Sequence, residues 1–167
     1  MKQLSNCFCN LKTAKMKAMM MVLFGALANG SYGQNTEVRI ANYNIDSKNV
    51  SIDGYDPVSY FKDKPQKGDE NNSYMYKGVT YWFSSESNRK EFEKNPLKYE
   101  PQYGGWCAYA LGLKPKKVKI DPKTYKIIDN KLYLFYNFNF TNTLHLWDKE
   151  EESLKDEADK NWSLIIN

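Results

Sequence analysis

The chain has 167 residues, and 24 Lys and Arg against 20 Asp and Glu give it a formal net charge of +4. Four of the lysines precede residue 34, in a stretch without acidic side chains, so the rest of the chain is neutral overall. A nucleic-acid-binding protein presents a net basic surface. The composition therefore excludes nucleic acid as an expected partner, and the length is that of one domain.

The first 33 residues have the pattern of a secretory signal peptide. Lysines precede an apolar run of 11 residues, 18–28, and the small residues Ser31 and Gly33 stand three and one positions before Gln34. This order predicts export with cleavage before Gln34. A membrane-spanning helix needs about 20 apolar residues, so we expect a periplasmic or secreted protein without a membrane anchor.

Cleavage would leave a single cysteine, Cys107, because Cys7 and Cys9 lie in the leader. An exported domain that cannot form an internal disulfide must be stabilised by its core. Aromatic residues, at 15% of the chain, can supply that core, since each enclosed ring buries roughly 150–250 Å².

The domain is predicted over residues 48–167, after a flexible lead-in over the mostly polar residues 34–47. An alternating pattern predicts a short strand over residues 49–52. Asp56 followed by Pro57 is typical of a helix start. We therefore interpret Asp56 as a helix cap.

Two β-hairpins are predicted, because β-rich runs are twice separated by two residues that favour a tight turn. The first turn is Lys77-Gly78 and the second is Asp129-Asn130. The predicted strands are residues 73–76, 79–83, 125–128 and 131–135.

Short helices are predicted between the hairpins. One begins after Ser84 or Ser85, with Phe92 and Leu97 pointing inward. Another, over residues 106–111, follows two adjacent glycines that permit an unusual backbone turn.

The C-terminal third is predicted to be helical, because apolar residues recur at three- and four-residue spacing from Leu144 to Trp162. Dense Glu and Lys residues on the opposite face indicate a solvated surface. These elements together predict a small single-domain α+β fold with two hairpins, short central helices and C-terminal helices.

Five segments, in chain order, resemble motifs of the YHS-domain family. The most distinctive is residues 99–109, which contain the glycine pair and Cys107. The resemblance implies a compact α+β module, distantly related to small metal-sensing or metal-trafficking domains. It implies no particular reaction, and the metal-handling relatives look as though they use more than one Cys. The segments are residues 52–61, 81–89, 99–109, 127–134 and 158–162.

A soft metal ion such as copper is one candidate ligand. The soft or imidazole ligands after the leader are Cys107, His145 and Met75. A structural zinc site needs four ligands, usually several Cys or His, whereas thiolate and thioether suit Cu(I). These three residues are therefore the candidate metal site.

A small ligand is the second candidate, bound at an aromatic site around Cys107. Its predicted residues are Tyr55, Tyr103, Trp106, Cys107 and Tyr109. The competing interpretation is that Cys107 belongs to the core, since free Cys is among the most buried residue types.

Three functions follow from these patterns. The leading expectation is a binding module rather than an enzyme, taking a soft metal ion or a small ligand. A thiol-dependent redox protein or enzyme would use Cys107 with His145, and such a pair needs a third group to orient the His. A non-catalytic protein-interaction domain would leave Cys107 inert.

Overall fold

The computed structural model describes residues 30–62 and 64–167. The predicted leader lies outside these residues except for positions 30–33, and Asp63 also lies outside them. The chain divides into two compact units, residues 1–35 and 36–167. The second unit contains both strands and helices.

A helix, α1 (Gly30–Asn42), enters this unit. The prediction of a flexible lead-in over residues 34–47 is therefore wrong for the part within the unit. Arg39 and Asn44 are each only 7% exposed, and Asn44 donates its backbone N–H to the carbonyl of Gly104 at 2.8 Å. Polar composition misled the prediction because these polar groups find partners inside the fold.

The first predicted hairpin is confirmed, with β1 (Asp69–Tyr76) paired antiparallel to β2 (Val79–Phe83). Lys77 and Gly78 both have positive φ angles, 47° and 82°, as a tight hairpin turn requires. A Cβ atom on Gly78 would lie 2.6 Å from the Thr36 side chain. The glycine therefore allows the turn to approach α1.

The predicted strand over residues 49–52 is wrong. Val50 and Ser51 form only isolated bridges, to Thr80 and Ile45 respectively. Ile52 and Asp53 then take left-handed φ angles of 53° and 49°, which turn the chain and prevent a continuous ladder.

A helix after Ser85 is confirmed as α2 (Glu86–Lys94), and the Ser85 side chain accepts a hydrogen bond from the Asn88 backbone. Phe92 is fully buried, as predicted, but Leu97 is 68% exposed. The chain leaves the helix at Asn95, where φ is −151°, and starts a new one-turn helix, α3 (Pro96–Tyr99). This change of direction takes Leu97 away from the core.

The second predicted hairpin is also confirmed, by β3 (Asp121–Ile128) and β4 (Lys131–Phe135). Between the hairpins lies α4 (Ala108–Leu113). A third hairpin, β5 (Asn137–Phe138) with β6 (Thr141–Asn142), was not predicted, because two-residue strands carry no periodicity.

Two helices complete the chain, α5 (Leu144–Trp147) and α6 (Glu151–Ile166). None of the helices in the described residues is both long and apolar enough to cross a membrane. The α+β fold class is confirmed, with each hairpin forming its own two-stranded sheet.

Aromatic rings dominate the core. Phe92 contacts the rings of Tyr81 and Phe83 at centroid distances of 4.8 and 5.3 Å. On the other side, Trp147 packs against Tyr133 and Phe135. Ring packing therefore forms much of the core, as the aromatic composition predicted.

Candidate functional site

The segment with the two glycines forms a sharp bend beside strand β4. Pro101 and Cys107 bridge Leu132 and Leu134 of β4 in parallel, and the residues between them turn through a 3₁₀ segment, Gln102–Gly105. Tyr103 has a φ angle of 56°, a conformation that is costly for a residue with a side chain. The bend is thus held by its packing against the strand.

A buried ion pair lies at the start of this bend. Arg39 of α1 forms a salt bridge with Glu100, and the two side chains are 9% and 8% exposed. The guanidinium also donates to the Tyr43 hydroxyl at 2.7 Å and to the Lys77 carbonyl at 3.2 Å. Tyr81 donates its hydroxyl to Glu100 Oε1 at 2.5 Å.

The electrostatics keep these groups in fixed protonation states. Burial alone would lower the pKa of Arg39, but the hydrogen bond and charge of Glu100 raise it above its usual value. Burial, and then the charge of Glu100, hold the pKa of Tyr81 well above its ordinary range. Arg39 therefore remains a cation and Tyr81 a neutral hydrogen-bond donor.

Two further aromatic residues and a carboxylate line this region: Tyr103 of the bend, and Asp159 and Trp162 of α6. The Tyr103 hydroxyl donates to Asp159 Oδ1 at 2.9 Å. Trp162 lies 5.9 Å from Tyr43 and 6.5 Å from Tyr103, centroid to centroid. Burial, and then the charge of Asp159, raise the pKa of Tyr103, so its hydroxyl remains a donor.

Gly104 lets the two flanking rings approach the backbone. A Cβ atom at this position would lie 2.8 Å from the Tyr43 ring and 3.0 Å from the Trp162 ring. The φ angle of 59° also favours glycine. Gly104 therefore has a steric and a conformational reason to be glycine.

These groups surround a surface depression of about 200 Å³, which we call the bend depression. Leu97 lies along it, and its exposed side chain remains accessible there. The depression combines ring faces with a few fixed polar groups, which is the usual make-up of a small-molecule site. Its principal lining residues are Arg39, Tyr43, Glu100, Tyr103, Asp159 and Trp162.

Cys107 lies in the core and not in the bend depression. Its side chain is fully buried, and it precedes α4 as the residue at the cap position. The Tyr136 backbone N–H donates to its sulfur at 3.3 Å. The sulfur lies 3.5 Å from Thr143 Oγ1. The Thr143 hydroxyl donates its own proton to the Tyr136 carbonyl at 3.0 Å. The thiol therefore donates to Thr143 and is satisfied as a structural group.

The three predicted metal ligands are in different environments. Cys107 is enclosed, whereas Met75 is 64% exposed on β1 and His145 is exposed on α5. In residues 30–62 and 64–167, no group of three or more His, Cys, Asp or Glu is arranged to hold a metal ion.

Of the five residues predicted to bind a small ligand, the structure places Tyr103 in the bend depression. Tyr55 is half-buried beside Lys67, whose ammonium lies 5.0 Å from the ring centroid. Trp106 donates its indole N–H to the Asn42 carbonyl at 2.6 Å, and Tyr109 packs between core clusters. Tyr55 and Tyr109 pack against the core cluster that contains Cys107, whereas Tyr103 lines the bend depression.

Asp56 does more than cap a turn, contrary to its interpretation from sequence. Its carboxylate is fully buried and accepts from the backbone of Val58 at 2.8 Å. It also accepts from the Ser84 hydroxyl and the Asn88 amide, each at 2.6 Å. Asp56 thus connects the segment after Ile52 to the start of α2, and its role is structural.

Sequence reasoning missed most of the bend depression. Arg39 and Tyr43 were assigned to a lead-in, and Asp159 and Trp162 to helix periodicity. Glu100 carried a usable signal, because an acidic residue between Tyr99 and Pro101 in an aromatic segment needs a buried partner. Nothing in the sequence indicated that the partner is Arg39, 61 positions away.

Replacing Glu100 by Gln should destabilise the protein strongly, because it leaves the buried guanidinium of Arg39 without its counter-ion. Breaking a buried ion pair costs about 3–5 kcal/mol. The free energy of unfolding, measured by urea denaturation, should fall by that amount. Glu86→Gln, which breaks an exposed pair with Lys90, is the matched control and should have a far smaller effect. Equal effects of the two substitutions would contradict the importance of the buried pair.

Alkylation of Cys107 should require unfolding, because its sulfur is enclosed and hydrogen-bonded. Iodoacetamide labelling, mapped by peptide mass spectrometry, should modify Cys107 only when denaturant is added. Rapid labelling of Cys107 in the native protein would show that the thiol is accessible and would revive a thiol-dependent function.

No family model, no curated protein and no solved structure matches this chain.

Proposed function

We propose that this protein is a binding module for a small organic ligand, which it holds in the bend depression. The observation that carries the proposal is the concentration of aromatic rings around the buried, hydrogen-bonded Arg39–Glu100 pair. Such groups are fixed before a ligand arrives, so little conformational entropy is lost on binding. The volume of about 200 Å³ suits a ligand smaller than a drug molecule, whose sites occupy about 300–1,000 Å³.

Binding is favoured over catalysis at this site. The two tyrosine hydroxyls that face it, on Tyr43 and Tyr103, have pKa values raised chiefly by burial. A general base works best with a pKa near the operating pH. Burial moves the pKa of both phenols further above that pH. A nucleophilic pair of Cys107 with His145 is also disfavoured, because the former is buried and the latter exposed.

A soft-metal function is less well supported than small-ligand binding. Cu(I) coordination would require the Cys107 sulfur to give up its hydrogen bonds in the core and reach exposed partners. By contrast, the bend depression needs no rearrangement to accept a ligand.

We further propose that the domain is an exported member of the YHS-like group. The leader pattern of residues 1–33 supports export. The family resemblance is supported by its most distinctive segment, residues 99–109, which contains the bend that lines the depression. Both proposals are independent of the ligand.

Filling the bend depression should weaken ligand binding. Leu97→Trp places a bulky ring at a lining position that is already 68% exposed, so the fold should tolerate it. A fragment that binds the wild type should lose affinity at least about tenfold, a difference of about 1.4 kcal/mol. Isothermal titration calorimetry against a panel of small aromatic fragments measures this loss.

Leu113→Trp is the matched control, because Leu113 is 59% exposed and does not line the depression. It should bind the fragments as the wild type does. If Leu97→Trp and the wild type bind every fragment equally, the depression is not the binding site and the proposal is wrong.

A further inference from the structure

We infer that the ligand of the bend depression is a small organic cation, with an ammonium group and an apolar body. This inference rests on the proposed function and names the chemical class of its ligand. It depends on which charges in the depression already have partners.

The positive charge of Arg39 is already neutralised. Its guanidinium is shared between Glu100, the Tyr43 hydroxyl and the Lys77 carbonyl. An anionic ligand would therefore have to compete with a buried carboxylate for the same N–H groups. The geometry thus disfavours a carboxylate or phosphate ligand.

The negative charge of Asp159 is not neutralised by a salt bridge within the described residues. Its Oδ1 atom accepts from Tyr103, which is a neutral partner. In the described part of the chain, no Lys or Arg forms a salt bridge with Asp159. Since Arg39 and Glu100 cancel, the charged lining residues leave one net negative charge at the depression.

The rings add to this preference. Aromatic faces attract cations through their quadrupoles, most strongly for Trp. The chain already uses one such face, since the Arg39 guanidinium lies 4.3 Å from the centroid of Tyr43. Trp162 and Asp159 both line the depression and are three positions apart on α6, so a carboxylate and a ring are available to one ammonium group.

The test compares three probes that share one phenyl ring and differ in charge: benzyltrimethylammonium, benzyl alcohol and benzoate. Each is titrated calorimetrically into the full chain. Benzyltrimethylammonium should bind at least about tenfold more tightly than either of the others. Its affinity should fall with added salt, because an exposed carboxylate is screened.

Asp159→Asn identifies the group responsible, since the Asn oxygen can still accept from Tyr103. This variant should bind benzyltrimethylammonium about as weakly as the alcohol and should leave the affinity for the alcohol unchanged. Glu152→Gln removes a carboxylate from the same helix outside the depression, and it should preserve the preference for the cation.

The outcomes separate this inference from the proposed function. Binding of the alcohol or of benzoate as tight as that of the cation, and sensitive to Leu97→Trp, would overturn the cation inference and leave the binding function standing. Absence of binding by all three probes would overturn both. A cation preference that survives Asp159→Asn would also overturn the inference, because the assigned carboxylate would have no part in it.

Discussion

The buried ion pair between Arg39 and Glu100 is the interaction on which the arrangement of the candidate site depends. It connects α1 to the bend, and Tyr81 connects it to the first hairpin. A buried pair of this kind contributes little net stability compared with apolar side chains. Its value here is positional, because three distant parts of the chain must come together for the charges to be satisfied.

The backbone conformation of the bend, which the ion pair holds against α1, shapes the bend depression at the surface. Left-handed backbone at Tyr103 and Gly104 directs the tyrosine ring toward the core, while Gly104 lets the Tyr43 and Trp162 rings close over the backbone. The same turn carries Cys107 into the interior beside β4. One local conformation thus explains both the depression at the surface and the burial of the thiol.

The sequence predicted what depends on local chemistry. Turn-favouring residues located two of the three hairpins. The predicted helix start after Ser84 or Ser85 is confirmed at Ser85. Prediction from the sequence failed where contacts between distant residues determine the structure. Arg39 is an example, because it lies in a segment of low apolar content and its partner Glu100 is 61 positions away. The sequence left open for the same reason whether Cys107 lies in the core, because its burial depends on strands that contact it only in the folded chain.

The central claim is that a ligand occupies the bend depression and not the surroundings of Cys107. Intermolecular nuclear Overhauser effects from bound benzyltrimethylammonium test it most directly. The account predicts contacts from the N-methyl protons to the ring protons of Trp162 and Tyr43. Contacts confined to residues around Cys107, such as Thr143, would contradict it.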